Sequence, residues 1–255
     1  MFVTIDDVRL HVLSFGEGPR TILATGGWTG SWEVWEEPLA QLSADGWRCV
    51  AYDHRGAGES PVDPSRISVQ HMVEDVVAVM DAVGIEQCVL AGESQGGAIA
   101  QYAAARFPSR FTGLILASPA PARRRAKAGG AFADACRTDY PATVEQFVSG
   151  CFPEPDCDHI KRWATNVLLR AEPEQAARIV EMWSDDGVAD VDADRLDLPV
   201  LIVHGTADAI VPIAGSRELA ALLPDVELVE LDGVGHVPTM TRPDEVVAAI
   251  RRRFA

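Results

Sequence analysis

The chain has 255 residues, is 47% apolar, and sets 22 basic against 38 acidic residues for a formal net charge of −16. That length can bury one sizeable core, with or without an insertion. The acidity argues against nucleic acid and anionic membranes as partners and otherwise serves solubility.

No apolar run approaches the ~18 residues of a membrane-spanning helix. The N-terminus "MFVTIDDVRLHV" has neither the basic region nor the cleavage pattern of a signal peptide. Five cysteines, an odd count in a long chain, read as free thiols in a reducing compartment, so a cytoplasmic protein is expected.

Taken in chain order, the first third alternates two kinds of segment. "RLHVLSF", "TILAT" and "RCVAYD" read as short strands. Val69, Met72, Val73, Val76, Val77, Met80 and Val83 recur at the spacing of one helix face, and Gly84 supplies the stop. "QCVLAG" follows as a strand, "AIAQYAAARF" as a helix ended by Pro108, and "FTGLILAS" as the next strand.

The last quarter resumes the rhythm. "PVLIVHG" is a continuous apolar run, as a strand covered on both faces requires. "GSRELAALL" is a helix, "VELVEL" a strand, and "PDEVVAAIRRRF" a closing helix. Strands separated by helices pair in parallel through right-handed crossovers, which gives a layered α/β sheet.

Between these parts, from about Pro119 to Asp197, there are helical pieces, such as "RWATNVLLRA" and "PEQAARIVEMW", and a turn-rich joint, "CFPEPDCDH". The expected organisation is therefore an α/β core over residues 1–118 and 197–255, interrupted by a helical insertion over 119–196. Segments inserted at the C-terminal edge of such a sheet often cover its ligand crevice.

The strand "QCVLAG" runs into "GESQGG" and then a helix. Gly-x-Ser-x-Gly in a strand–turn–helix context forms a nucleophile elbow. The bend is tight enough to force Ser94 into an unfavourable backbone conformation. It also needs Gly92 and Gly96, because larger side chains would clash with the neighbouring strand and helix.

A serine hydroxyl keeps its proton at neutral pH, so it needs a histidine as base and a carboxylate to orient that base. "LIVHGTADAIVP" places Asp208 just past a strand, and "LVELDGVGHVPTM" places His236 in a Gly-rich loop after the next. Both follow Ser94 in the order Ser, acid, His. Asp225 and Asp232 fall at poorer positions for the acid. His204 precedes the acid at the end of a buried strand and reads as structural.

Two backbone N–H groups should receive the oxyanion: Gln95 at the helix start, and Trp28 in "ATGGWTGSWEVWEEPL" after the strand "TIL". Gly26 and Gly27 would let the backbone of that loop approach the substrate.

The sequence resembles the α/β-hydrolase fold, in its serine-hydrolase branch of small esterases, lactonases and related cofactor-free enzymes. The motifs that carry the likeness are "GGW", "DHRGAGES", "GESQGG", "HGTAD" and "GVGH". It spans nearly the whole chain apart from the insertion, which corresponds to the family's variable helical cap. Where the family usually has His-Gly before the oxyanion donor, this chain has Gly26-Gly27.

The resemblance implies a mostly parallel central sheet with helices on both faces. It also implies Ser94 as nucleophile, His236 as base and then acid, Asp208 as orienter, no cofactor and no metal. The expected substrate is a small carboxylic ester or lactone. Carbon–carbon bond hydrolysis, perhydrolysis and a low-turnover ligand receptor are the alternatives, and a homo-oligomer is left open.

Other features have plainer readings. Asp53 and Arg55 read as a buried support pair, and "RRRAK" at Arg123–Lys127 as a solvated basic face. Trp28 is a candidate for the pocket wall, whereas Trp32 and Trp35 read as core. The cluster Cys151, Cys157, Asp158 and His159 fits no standard metal spacing.

Overall fold

The computed structural model describes residues 1–123, 130–185, 188–193 and 196–255. Eight strands form one sheet: β1 (Phe2–Ile5), β2 (Val8–Phe15), β3 (Arg20–Thr25), β4 (Trp47–Tyr52), β5 (Cys88–Glu93), β6 (Phe111–Ala117), β7 (Val200–Gly205) and β8 (Val226–Leu231). Their order across the sheet is β1-β2-β4-β3-β5-β6-β7-β8. From β4 to β8 the pairs are parallel, while β1–β2 and β2–β4 are antiparallel.

The helices are α1 (Glu36–Ala44), α2 (Val69–Ala82), α3 (Gln95–Arg106), α4 (Gly130–Thr138), α5 (Tyr140–Cys151), α6 (Asp158–Leu168), α7 (Pro173–Glu181), α8 (Ala214–Leu222), α9 (Pro238–Thr241) and α10 (Pro243–Arg253). Helices α4 to α7 all lie between β6 and β7 in the chain, where the helical insertion was expected. None of the described helices is long and apolar enough to cross a membrane.

Strand β1 is an addition to the sequence reading. It pairs with β2 through a two-residue turn, Asp6-Asp7, in which both residues have positive φ (46° and 66°). Asn-Gly is the usual signal for such a turn, and two aspartates hide it. Helix α2 buries Val69, Met72, Val73, Val76 and Met80, as its periodicity predicts, and Ser68 caps it by accepting the His71 N–H. Helix α3 begins at Gln95, earlier than its apolar run suggests.

Strands β5 and β7 are buried along their whole length, the condition for a strand covered on both faces. The chain passes from β3 outward to β4 and returns to β5 on the other side of β3. The crevice beyond the C-terminal ends of β3 and β5 is therefore the switch point, the place where open α/β sheets bind ligands.

Candidate active site

The elbow is built from backbone constraints. Ser94 follows β5 with φ 51° and ψ −117°. Its N–H donates to Ala117 O of β6 at 2.9 Å, and its carbonyl accepts from Ala120 N–H at 2.9 Å. Strain of this kind persists only where surrounding bonds over-determine it, and here both sides of the peptide are held.

A Cβ on Gly92 would sit 2.3 Å from Gly96 O, and one on Gly96 would sit 2.4 Å from Gly26 O. The first glycine thus lets β5 close onto the first turn of α3. The second lets α3 close onto the end of β3. Gln95 opens α3, so its N–H is one of those that no intrahelical carbonyl can satisfy.

Three loops deliver the remaining groups. His236, in the loop after β8, places Nε2 3.0 Å from Ser94 Oγ and Nδ1 2.7 Å from Asp208 Oδ2. Asp208 follows β7. Its Oδ1 accepts the N–H groups of Ile210 and Val211 at 2.8 and 2.9 Å, and its Oδ2 also faces His204 Nε2 at 3.0 Å. Burial opposes the Asp208 charge, but the hydrogen bonds from both histidines and the Val211 amide prevail and hold its carboxyl well below the usual carboxylate range. Burial also opposes the imidazolium of His236, yet Asp208 and the nearby Glu93 raise its pKa above the ordinary histidine value.

His204, structural by its place in the sequence, lies against Asp208 itself. Its Nε2 faces two acceptors, Asp208 Oδ2 and Val211 O at 2.8 Å, so that nitrogen carries the proton, and Nδ1 accepts from Ser216 Oγ.

The Gly26–Trp28 loop has two supports that the motifs do not reveal. Glu93, the unremarked second letter of "GESQGG", accepts the Gly27 N–H on Oε2 at 3.0 Å. A ring nitrogen of His54, Nε2, lies 3.3 Å from Gly27 O, so the histidine missing from the loop has a counterpart in "DHRG". Gly27 must be glycine, because a Cβ would meet Glu93 Oε2 and Ser94 Cβ, each at 2.7 Å. Burial raises the Glu93 pKa to about 7, against the opposing pull of the His236 charge and the Gly27 N–H.

Two spaces meet at Ser94. One is an apolar chamber running under Phe147, Val148, Phe152, Val167, Leu168 and Met240. The other is a more open cleft lined by Gln95, Phe132, Gln146 and Ile210. Trp28 and Phe147 border both spaces and pack edge to face, with ring centroids 4.8 Å apart. The Trp28 indole N–H donates to Ala176 O of α7 at 2.9 Å, which fixes the ring. Trp28 is thus a wall of the pocket. Trp35 is core, its indole bonded to Thr25 O, and Trp32 is partly buried against the core.

The joint at the end of α5 braces His236. Cys151 O accepts the His236 N–H at 2.8 Å, and Glu154 Oε1 accepts the Gly235 N–H at 3.0 Å. A Cβ on Gly235 would sit 2.2 Å from Cys151 O, so the two segments touch backbone to backbone.

Asp53 and Arg55 do not pair with each other. Asp53 spends its oxygens on the N–H groups of Trp32 and Glu59 and on His11. The Arg55 guanidinium instead forks onto Asp75 of α2 at 2.6 and 2.8 Å, with both side chains about 1% exposed. A planar guanidinium matches a carboxylate with both oxygens free, and Asp75 offers one where Asp53 does not. Among the described residues, no three His, Cys, Asp or Glu side chains gather as a metal site. Most of the "RRRAK" run, residues 124–127, lies outside the described residues.

A family model described as alpha/beta hydrolase fold matches residues 21–193, and one described as TAP-like protein matches residues 173–254. The chain is 27% identical to 3-oxoadipate enol-lactonase 2 of Acinetobacter baylyi, over 99% of its own length and 96% of the relative's. It is 29% identical to the pimeloyl-[acyl-carrier protein] methyl ester esterase of Vibrio parahaemolyticus, covering 95% and 97% respectively. Among solved structures, a thermophilic esterase from Thermogutta terrifontis superposes with a TM-score of 0.85 at 25% identity, over 96% of this chain and 92% of that one. With the strained serine at the switch point and the family model matched over more than half its length, the chain belongs to the alpha/beta hydrolase fold family.

Proposed function

We propose that the protein is a serine hydrolase that cleaves a carboxylic ester or lactone through an acyl-enzyme on Ser94. The observation that carries this reading is the continuous line from Ser94 Oγ through the His236 ring to Asp208, at 3.0 and 2.7 Å. His236 Nε2 takes the Ser94 proton as Oγ bonds to the substrate carbonyl carbon. The resulting oxyanion rests on the N–H groups of Trp28 and Gln95. His236 then gives its proton to the leaving alkoxide as the carbon–oxygen bond breaks. Water then attacks the acyl carbon, losing a proton to His236, and His236 returns that proton to Ser94 Oγ as the acyl–Oγ bond breaks and the acid leaves. Asp208 holds the ring in the reactive tautomer throughout and stabilises the imidazolium.

The esterase and the enol-lactonase among the relatives support this bond type. Residues 119–196 act as a cap, since α5 and α6 supply much of the chamber wall. The test is turnover of p-nitrophenyl butyrate together with labelling by a fluorophosphonate probe. Wild type is expected to show both, and Ser94→Ala neither. Equal turnover by the two proteins would refute the serine mechanism.

A further inference from the structure

The acyl-transfer steps above give no task to Glu93, a buried carboxylate beside Ser94. It is 5% exposed and stands between the two parts of the machinery that must be held in register. Its Oε2 accepts the Gly27 N–H at 3.0 Å, next to the Trp28 backbone, and its Oε1 lies 3.5 Å from His236 Nε2. That nitrogen exchanges the proton with Ser94.

Resting on the reading of Ser94 and His236 given above, we propose that Glu93 is a positioning residue with two tasks. One oxygen fixes the oxyanion-side loop, and the other faces the imidazolium as it forms. At 3.5 Å the second contact is too long for a good hydrogen bond, so it acts through charge and leaves the Nε2 proton free for the alkoxide. No bond to Glu93 forms or breaks. The proton moves from Ser94 Oγ to His236 Nε2 and on to the leaving group, with Asp208 on one side of the ring and Glu93 on the other.

The other groups that face Glu93 decide when it carries charge. Burial favours its neutral form, Asp208 opposes ionisation from across the ring, and the His236 imidazolium favours it. Cys151, at the end of α5, is itself raised well above the ordinary thiol range, by burial and then by Glu93, Asp208 and Glu154, and is neutral here. Glu33, in the lining of the chamber, is tied to Arg170. Glu93 and His236 therefore titrate as a coupled pair, each raised above its ordinary value.

Two variants separate the tasks. Glu93→Gln keeps an acceptor for Gly27 and removes the charge, while Glu93→Leu removes both. In 15N-histidine-labelled protein, the His236 ring in Glu93→Gln should titrate about one pH unit lower than in wild type. The acid limb of kcat/KM should move down by the same amount, with kcat about tenfold lower and KM little changed. Protection of the Gly27 amide against hydrogen exchange should survive in Glu93→Gln and be lost in Glu93→Leu, whose kcat should fall a further 10- to 100-fold, toward the cost of losing an oxyanion donor.

An unshifted His236 titration in Glu93→Gln overturns the charge task. Gly27 protection retained in Glu93→Leu overturns the loop task. The ring titration and amide exchange need no substrate, so they decide even if wild type proves inactive on esters, a result that would strike the proposed function alone.

Discussion

Two carboxylates flank one imidazole, and the protein treats them oppositely. Asp208 has donors on both oxygens, from His204, His236, Ile210 and Val211, and is held ionised. Glu93 has a single N–H donor, with His236 Nε2 at 3.5 Å from its other oxygen, and burial raises its pKa to about 7. Burial acts on both in the same direction, so the number of donors decides the outcome. A site can thus hold one permanent negative charge to orient its base and keep a second carboxylate whose charge depends on the proton state of that base.

The largest way to break this contrast is to remove the permanent charge. Asp208→Asn should lower kcat for p-nitrophenyl butyrate by about 10⁴-fold, because a neutral amide leaves the His236 ring free to take the wrong tautomer. Next in size is a change that touches neither carboxylate directly. Gly27→Ala would push a methyl group into Glu93 Oε2 and Ser94 Cβ. The loop must shift to relieve the overlap, so kcat should fall roughly 10²- to 10³-fold, the scale of a lost oxyanion donor. Steady-state kinetics on the same ester checks both.

The smallest effect is also the sharpest, because the two carboxylates should change stability with opposite sign. The folded-state pKa of Asp208 is depressed, so its contribution is present above its unfolded value and is lost as pH falls through the folded one. The folded-state pKa of Glu93 is raised, so its contribution is full below the unfolded value of about 4.5 and is lost as pH rises through about 7. At pH 8, Asp208→Asn should melt below wild type and Glu93→Gln a few degrees above it. The gap for Glu93→Gln should close by pH 4.5. Thermal melts of the three proteins between pH 4.5 and 8 measure this, and parallel curves for the two variants would erase the distinction.

How much of this could be read from the letters depended on the range of the interaction. Strands β2 to β8 and helices α2, α3, α6, α7, α8 and α10 announce themselves through local apolar runs and periodicity, whereas α1, α4 and α5 do not. Ser94, Asp208 and His236 sit where local strand-end signals place them, and the structure brings them within hydrogen-bond reach of one another. The misses were of two kinds. Strand β1 was hidden by an aspartate pair occupying a turn that glycine usually marks. Glu93, His54 and the Arg55–Asp75 pair were hidden because partner choice is a property of the folded chain. Gly27 and Glu93 are 66 residues apart, and no spacing rule links them. A signal did exist for Glu93: an acidic residue at the end of an otherwise apolar strand must be buried, and a buried acid needs a partner.

The contact between Cys151 O, Glu154 and the Gly235-His236 backbone has a consequence for how such enzymes can be recombined. The segment at the end of α5 is anchored directly to the His236 backbone. A chimera that exchanges residues 119–196 for another set of helices would have to offer a carbonyl and a carboxylate at the same two points. Otherwise it would inherit a serine whose base has lost its mooring. Any modularity of residues 119–196 stops at the end of α5, where two hydrogen bonds tie the chain to Gly235 and His236.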